Sequence, residues 1–332
     1  MDFRYKKMGI ETETLKLREL LENKVKKSIS EGCDGILLSA GLDTSILSYV
    51  AAKNTKIKAF TLKFRNAPDA EYAKRLCKIL GTEHYVLNID EENLTKNLRE
   101  TIKILGIFDP MEIRNSVAIY TLLKFSKDYV KGVMTGDGAD ELFFGYDFLI
   151  KMKKEERENY AKNMWRNMHF SSNDFGRFFG MKIFSPYLSD EVKNYAMSIG
   201  DEMKIKKGVG KWILRKAYLN LLPNEFVWRK KTPIEYGSGT TMLTNIFDNK
   251  IKDADFEQKK LKYEKEDKVI IRDKEHLCYY EIFKEIFGNV KKAKESEIRC
   301  KGCGAMIEHK NLFCRICGTS NNRMRMKYKN FK

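Results

Sequence analysis

Two short segments of the chain carry residue types that can bind and activate a nucleotide. The first, 39–45, reads Ser-Ala-Gly-Leu-Asp-Thr-Ser and lies between the apolar run 35–39 and the helix-like stretch 45–52. A strand, a loop and a helix in this order direct free backbone N–H groups and the helix dipole towards an anion. The phosphate-binding residues predicted here are Ser39, Gly41, Asp43, Thr44 and Ser45.

Asp43 is the informative member of this phosphate loop. A carboxylate next to a polyphosphate repels it unless a divalent cation lies between the two groups. We therefore expect Asp43 to bind Mg²⁺. The alternative is that Asp43, Thr44 or Ser45 only caps the following helix, a position for which all three residue types are suited. A Walker A loop is excluded because the Gly-Lys-Ser/Thr ending is absent.

The second segment, 135–146, places three acidic residues within five positions after a predicted strand at 132–136. Ligands of open α/β sheets bind beyond the carboxyl ends of the strands, so this acidic loop and the phosphate loop can face one site. Asp140 would then share the magnesium ion with Asp43. The alternative is a solvated turn. The residues of this loop predicted to contact the nucleotide are Thr135, Gly136 and Asp140.

Four of the seven cysteines are spaced as metal ligands near the end of the chain. Two C-x-x-C turns supply four thiolates for a tetrahedral zinc ion, and four protein ligands leave no open position for catalysis. A redox dithiol is the alternative, and His309 could replace one cysteine. The predicted structural zinc ligands are Cys300, Cys303, Cys314 and Cys317.

The elements that would position these residues alternate along the first half of the chain. Apolar periodicity predicts strands at 56–64 and 84–89 and helices at 11–28, 70–80 and 117–127. This alternation predicts an α/β fold with a parallel sheet and helices on both faces. The pattern from 142 to 287 is mainly helical, and its Lys-rich part, 249–268, is typical of a solvated surface helix.

Charge and hydropathy limit the classes of partner. With 63 basic and 46 acidic residues among 332, the formal net charge is +17, which attracts nucleotides, pyrophosphate and RNA. The sequence contains no apolar run long enough to span a bilayer, and its first residues lack the apolar core of a signal peptide. We therefore expect a cytoplasmic protein without a membrane partner.

The two nucleotide-binding segments also carry a family resemblance. Segment 39–45 has the form S-x-G-x-D-x-S and is similar to the loop of the PP-loop ATP pyrophosphatase superfamily, whose sheet is HUP-like. Segment 135–146 resembles S/T-G-E-G-A/S-D-E-L/V-F-G-G-Y of the C-terminal synthetase domain of the asparagine synthetase B family. Similar stretches follow in the same order and extend the resemblance over about 12–240; they lie at 68–74, 80–84, 184–188, 211–215, 222–223 and 229–231.

This resemblance implies an adenylating ligase. A substrate carboxylate would attack the α-phosphorus of ATP, pyrophosphate would leave, and an amine would displace AMP from the acyl-adenylate. Lys231 aligns with the catalytic lysine of the family, and Lys211 is a candidate phosphate contact. Asp137 takes the place of a glutamate that lies near the reacting amine, and related lactam-forming enzymes carry Tyr there. The shorter side chain suggests a different nucleophile or acceptor.

A second departure from the family concerns the amine. The glutaminase domain of asparagine-forming members begins with a cysteine after the initiator Met, whereas Asp2 follows Met1 here. We therefore expect no glutaminase activity in this chain. The amine would be free ammonia, ammonia from a glutaminase or another donor in trans, or a group on the substrate.

The predicted organisation is a PP-loop synthetase domain at 1–290, mostly helical after about 150, a linker at 291–297, a zinc ribbon at 298–320 and a basic tail at 321–332. Two other functions stay open. A tRNA-modifying enzyme could adenylate a base and hold RNA with the ribbon and basic surface; a sulfur-transferring version would need a reactive cysteine, and only Cys33 lies near the phosphate loop. A zinc-dependent RNA-binding adaptor with an inactive synthetase domain is the third hypothesis.

Overall fold

The computed structural model describes residues 3–308, 311 and 313–320, with side chains described from Gly9 onwards. The basic tail at 321–332 and His309 lie outside the described residues. The chain forms two compact units, each made of two chain segments. The first unit comprises Met1–Asn88 and Leu122–Ser238, and the second comprises Ile89–Thr121 and Gly239–Lys332.

A five-stranded sheet with the order β3-β2-β1-β4-β5 is the centre of the first unit. β1 pairs in parallel with β2 and with β4, and β4 pairs in parallel with β5. The register places Gly35 opposite Lys58 and Val133, and Gly132 opposite Lys182. The strands are β1 (Gly35–Leu37), β2 (Lys58–Phe64), β3 (Glu83–Ile89), β4 (Gly132–Met134) and β5 (Lys182–Phe184).

Both faces of the sheet centre are covered. All residues of β1 and β4 are buried, and successive strand residues point to opposite faces, so packing must occur on each side. The predicted α/β fold with a parallel sheet is therefore confirmed. β5 was not predicted, because three residues between a glycine turn and Ser185-Pro186 are too short to show a strand period.

The helices account for most of the remaining chain. They are α1 (Phe3–Ser30), α2 (Leu42–Ala52), α3 (Asp69–Leu80), α4 (Glu91–Leu105), α5 (Pro110–Ser126), α6 (Ala139–Phe143), α7 (Asp147–Lys151), α8 (Lys154–Arg166), α9 (Ser171–Phe179), α10 (Asp190–Ser198), α11 (Asp201–Lys204), α12 (Trp212–Tyr218), α13 (Asn224–Val227), α14 (Ile234–Ser238), α15 (Met242–Lys250), α16 (Asp253–Glu266) and α17 (Lys274–Phe287), with a 3₁₀ turn at Pro186–Leu188. No helix in the described ranges is long and apolar enough to cross a membrane.

Local sequence signals explain several helix ends. Asp90 begins α4 by accepting a hydrogen bond from the N–H of Asn93 at 2.8 Å, and Gly106 ends it in the left-handed region with φ 64°. Asp273 caps α17 through the N–H of His276 at 2.7 Å. α16 has no buried residue, which agrees with the solvated helix predicted at 249–268.

Each unit has its own packing. In the first unit, Leu17, Leu21 and Val25 of α1 lie in one core cluster with Leu214 and Tyr218 of α12. This spacing of four residues places the apolar side chains of α1 on one stripe.

In the second unit, α4, α15 and α16 each contact α17. Glu275 of α17 is buried there, accepts a hydrogen bond from Tyr279 Oη at 2.7 Å and pairs with Arg114 at 2.7 Å. Partners of this kind are needed for a buried carboxylate.

Candidate active site

The phosphate loop turns tightly from β1 into α2. Ala40 lies in the left-handed region with φ 51°, and Gly41 is the extended N-cap residue of α2. Ser39 Oγ accepts a hydrogen bond from the Gly41 N–H at 3.2 Å and lies 3.2 Å from Thr44 Oγ1. Because Gly41 is the N-cap, Asp43, Thr44 and Ser45 do not serve as caps but lie within α2. The start of α2 therefore keeps backbone N–H groups without a side-chain cap, as an anion site requires.

The acidic loop approaches the phosphate loop closely at Gly136. A Cβ atom on Gly136 would lie 3.2 Å from Thr44 Cγ2 and 3.3 Å from Asp43 Cβ. A side chain at this position would require Asp43 or Thr44 to shift by a few tenths of an ångström. Beyond it, Gly138 has φ 91° and is the N-cap of α6, which carries Asp140 in its first turn. The carboxyl ends of β1 and β4 thus place Asp43 and Asp140 next to each other.

Two lysines join these carboxylates into one cluster. Lys211 Nζ lies 2.6 Å from Asp43 Oδ2 and 2.6 Å from Asp140 Oδ1, and Lys231 Nζ lies 2.7 Å from Asp140 Oδ2. Lys211 is only 3% exposed and begins α12. We call these four residues the charge cluster. Opposite charges must be matched this closely when they are removed from water.

The charges of the cluster are unevenly compensated. Burial opposes ionisation of Asp140, but Lys211 and Lys231 outweigh it and hold the pKa of Asp140 below its ordinary value. Burial would lower the pKa of Lys231, yet Asp140 and Asp43 raise it. Burial raises the pKa of Asp43, and the neighbouring charge of Asp140 adds to this against the opposing effect of Lys211. Asp43 is therefore the carboxylate that gains most from a further cation.

One carboxylate oxygen of the cluster has no hydrogen-bond partner in the part of the chain that the structure describes and could contact a cation. Asp43 Oδ1 is buried and accepts no hydrogen bond from any described residue. Carboxylate oxygens are the ligands that Mg²⁺ prefers, usually together with substrate phosphates. Asp43 and Asp140 are the residues that would hold the ion.

A basic cleft surrounds the cluster. Its lining includes Ser39, Gly41, Asp43, Lys211 and Lys231, five of the residues predicted from the sequence. Three further cations also line this cleft and were given no role in the sequence analysis; they are Arg215, Arg229 and Lys230.

Arg229 connects the cleft to α3. Its Nη1 donates to the Ser39 carbonyl oxygen at 2.6 Å, and its Nη2 donates to Asp69 Oδ1 at 2.5 Å. Arg229 and Asp69 lie in two of the stretches that resemble the family, at 229–231 and 68–74, and no other feature of the sequence indicated their importance. Arg229 therefore fixes the position of the phosphate loop.

Asp137 lies apart from the charge cluster. Its Oδ2 accepts hydrogen bonds from Thr135 Oγ1 at 2.8 Å and Ser172 Oγ at 2.6 Å, and burial raises its pKa. Thr135 also donates its N–H to the Phe184 carbonyl oxygen of β5 at 2.9 Å. Ser45 is fully buried. The structure thus brings Asp43, Asp140, Lys211 and Lys231 together and places Asp137 beside Ser172.

Glu141 provides a pH test of this geometry. Burial and the nearby charge of Asp140 raise its pKa from 4.5 to about 7, although Tyr146 Oη donates to it at 2.6 Å. The folded state therefore keeps the proton that the unfolded chain loses, and ionisation costs stability progressively between these two values. We expect Glu141→Gln to raise the free energy of unfolding at pH 8 by about 2 kcal/mol. In urea titrations this gain must shrink as the pH falls from 7 towards 4.5; a gain independent of pH contradicts the assignment.

Gly145 provides a steric test. A Cβ on Gly145 would collide with Asp140 Oδ1 and with Lys211 Cε. We expect Gly145→Ala to lower ATP turnover by about 100-fold, because a displacement of about 1 Å in a catalytic site has an effect of that size. Gly9→Ala is the control, since Gly9 lies within α1 and a Cβ there meets no atom within 4 Å. Both glycines lie in the first unit, and equal turnover in the two variants would refute the steric explanation.

The four clustered cysteines form a separate candidate metal centre in the second unit. Their Sγ atoms all lie within 4.8 Å of one another, with Cys300 to Cys317 at 3.6 Å and Cys303 to Cys314 at 3.7 Å. A disulfide would require about 2.05 Å, so the sulfurs are spaced as ligands around one ion. Gly304 and Gly318 follow the two pairs with φ 76° and 74°.

Cys33 lies outside this centre. The side chain is 3% exposed, and burial raises the pKa of its thiol to about 12. Nucleophilic sulfur chemistry requires a thiolate that is accessible near neutral pH. The one cysteine that the sequence placed near the phosphate loop is therefore unsuited to sulfur transfer.

Comparison with known proteins identifies the family. The family model "Asparagine synthase" matches residues 16–179 and 160–299. The glutamine-hydrolysing asparagine synthetase of Rattus norvegicus is 30% identical over 257 residues, covering 71% of this chain and 46% of its own. The corresponding protein of Gallus gallus is 28% identical over 303 residues, covering 83% of this chain and 54% of its own. The chain thus spans about half the length of these curated relatives.

Among solved structures, the NMN synthetase of Francisella tularensis is similar with a TM-score of 0.32 and 17% identity, over 70% of this chain and 94% of its own. A score this low adds nothing to the assignment. The family-model match extends over most of the chain and includes the phosphate loop, the acidic loop and both cluster lysines. The chain therefore belongs to the asparagine synthase family.

Proposed function

We propose that this protein is an ATP-dependent ligase that adenylates a carboxylate and then joins it to an amine as an amide, releasing AMP and pyrophosphate. The observation that carries the proposal is the charge cluster at the carboxyl ends of β1 and β4, where α/β sheets bind their ligands. Membership in the asparagine synthase family supports the same reaction class.

In this proposal the cleft binds the triphosphate of ATP. The first N–H groups of α2, Ser39 and Lys211 would contact the phosphate oxygens, and Lys231 would lie near the α-phosphorus. Donors and cations fixed in advance stabilise the charge that develops in the transition state. Magnesium, held by Asp43 and Asp140, would neutralise charge on the phosphates. As ATP binds, Lys211 would exchange some of its carboxylate contacts for phosphate contacts.

Asp137 is proposed to act on the amine. Hydrogen bonds from Thr135 and Ser172 fix its carboxylate, and burial raises its pKa, which makes it a better proton acceptor. The amine itself would be ammonia, supplied free or by a donor in trans, or a group on the substrate. A cytoplasmic location remains our prediction.

The experiment is a pyrophosphate-release assay with ATP and Mg²⁺. Ammonia is supplied with aspartate, with other small carboxylates, or with bulk tRNA. Release with a small carboxylate supports the proposal. Release only with tRNA places the reacting group, a carboxylate or a base carbonyl, on RNA. No release under any condition favours the RNA-binding adaptor with an inactive synthetase domain. Lys211→Met should abolish release. Lys216→Met is the matched control on α12, because Lys216 contacts Trp212 and not the cluster.

We also propose that the four cysteines bind one structural zinc ion. All four are buried and present four sulfur donors, a set that fits Zn²⁺ and leaves no position for substrate. The nearby cations Lys292 and Arg272 donate to the carbonyl oxygens of Cys303 and Cys317 at 2.9 and 2.8 Å. Their charges would offset the negative charge of a zinc tetrathiolate.

A further inference from the structure

A second, larger depression in the first unit lies apart from the basic cleft. It is an open groove of about 670 Å³ between α8, α9, β5 and α10. This is within the range of about 300–1,000 Å³ that is usual for small-molecule sites. Trp165, Phe170 and Leu188 supply much of its apolar lining. We call it the α8–β5 groove.

The charged residues that line this groove are all basic. Among its lining residues, all within the described part of the first unit, none is acidic. Asp174, outside the lining, pairs with His169 at 2.8 Å and with Arg177 at 2.5 Å and so offsets part of the charge. The cations that line the groove are Arg166, His169, Arg177, Lys182 and Lys193, with His169 charged only when protonated.

The groove also touches the acidic loop. Leu188, in its lining, packs so closely on Gly138 that a Cβ there would collide with it. Trp165, another lining residue, donates its indole N–H to the Glu141 carbonyl oxygen at 2.8 Å. Ser172, next to lining residue Asn173, donates to Asp137. The acidic loop therefore contacts lining residues of the groove through Leu188 and Trp165. Asp43 and Lys211 of the charge cluster line the basic cleft.

We propose that the α8–β5 groove binds a nucleotide unit, free or within an RNA strand, that carries the acceptor group of the reaction. Cations and aromatic side chains together recognise nucleotides, because cations neutralise phosphates and rings stack on bases. A simple dicarboxylate acceptor would use the cations but not Trp165 or Phe170. The inference rests on the proposed function, since it assigns the groove to the acceptor of the same site.

The test measures the affinity of the full-length protein for two ligands at several salt concentrations. One is a fluorescein-labelled, single-stranded 12-nucleotide RNA, and the other is the mononucleotide UMP. The groove variant combines Arg166→Gln, Arg177→Gln and Lys193→Gln. The matched control removes three charges in or next to α16 by Lys252→Gln, Lys262→Gln and Lys265→Gln; all three residues are exposed. We expect the groove variant to bind at least about tenfold more weakly, with a salt slope smaller by about 2.

A single-residue change separates stacking from charge. Phe170→Leu should weaken binding about tenfold while leaving the salt slope unchanged, because it removes a ring and no cation. RNA binding without UMP binding identifies a strand as the ligand, and binding of both with the same dependence on the groove variant identifies a single nucleotide. No binding of either, or equal weakening in the α16 control, overturns the proposal.

The pyrophosphate assay distinguishes the two proposals. If the groove proposal alone fails, small carboxylates still support pyrophosphate release although no nucleotide ligand binds the groove. If the ligase proposal alone fails, RNA or UMP binds the groove with the expected variant dependence, yet no acceptor supports release.

Discussion

Asp140→Asn is expected to lower ATP-dependent pyrophosphate release by about 10³-fold. Asn keeps the size of the side chain but removes the charge that contacts Lys211 and Lys231 at 2.6 and 2.7 Å. Both lysines would then lose their shared carboxylate, and the magnesium site proposed at Asp43 and Asp140 would lose one of its two ligands. The measurement is the initial rate of pyrophosphate release at saturating ATP.

The control is Asp147→Asn, which removes the same charge from an exposed position seven residues further along the chain. It should retain the wild-type rate. Thermal unfolding of both variants separates a catalytic defect from a folding defect. A folded Asp140→Asn protein that releases pyrophosphate at the wild-type rate would contradict the role given to the charge cluster.

Loss of the proposed zinc ion is expected to lower the thermal stability more than any other change considered. Cys314→Ser should lose the bound zinc and lower the melting temperature of the second unit by about 10 °C, because several kcal/mol of metal-binding energy are lost. The cysteine centre connects distant segments of that unit. The Phe108 N–H donates to the Ile316 carbonyl oxygen at 2.7 Å, and the Ile270 N–H donates to the Gly302 carbonyl oxygen at 2.7 Å.

Cys278→Ser is the matched control for the zinc centre, because Cys278 lies on α17 and outside the cysteine cluster. Zinc content is measured by atomic emission spectroscopy on the purified proteins. The expected stoichiometry is one zinc per chain in the wild type and the control, and none in Cys314→Ser. Full zinc occupancy in Cys314→Ser would refute the four-cysteine assignment.

The sequence predicts the centre of the fold well because its signals there are local. Strand, small-residue loop and helix follow one another around Ser39, and the same order leads into α6. The chemistry of parallel strands then predicts that Asp43 and Asp140, nearly a hundred positions apart, approach each other, as they do around Lys211. Two elements, α4 and β5, were not predicted. β5 has only three residues, which is too short for a strand period. α4 was missed although its signals are present in the sequence. Asp90 and Gly106 cap this helix, and its buried face is formed by Leu94, Leu98 and Ile102.

The partners of the site residues could not be derived from spacing. Lys211 and Lys231 are two among 63 basic residues, and only the family resemblance singled them out. The contacts of Arg229 with Asp69 and of Ser172 with Asp137 bring together residues that are 160 and 35 positions apart. Neither separation corresponds to a helix or strand repeat, so no periodic pattern in the sequence predicts these contacts. Tertiary packing alone brings the two residues of each pair together. The α8–β5 groove is undetectable in the sequence for the same reason.

Isotope transfer from the carboxylate acceptor to AMP tests the central claim most directly. A carboxylate labelled with ¹⁸O is incubated with the protein, ATP, Mg²⁺ and ammonia, and AMP is analysed by mass spectrometry. Adenylation predicts one ¹⁸O atom in each AMP formed, since the carboxylate oxygen that attacks phosphorus leaves with AMP. Formation of ADP and phosphate, or of AMP without the label, would contradict the account.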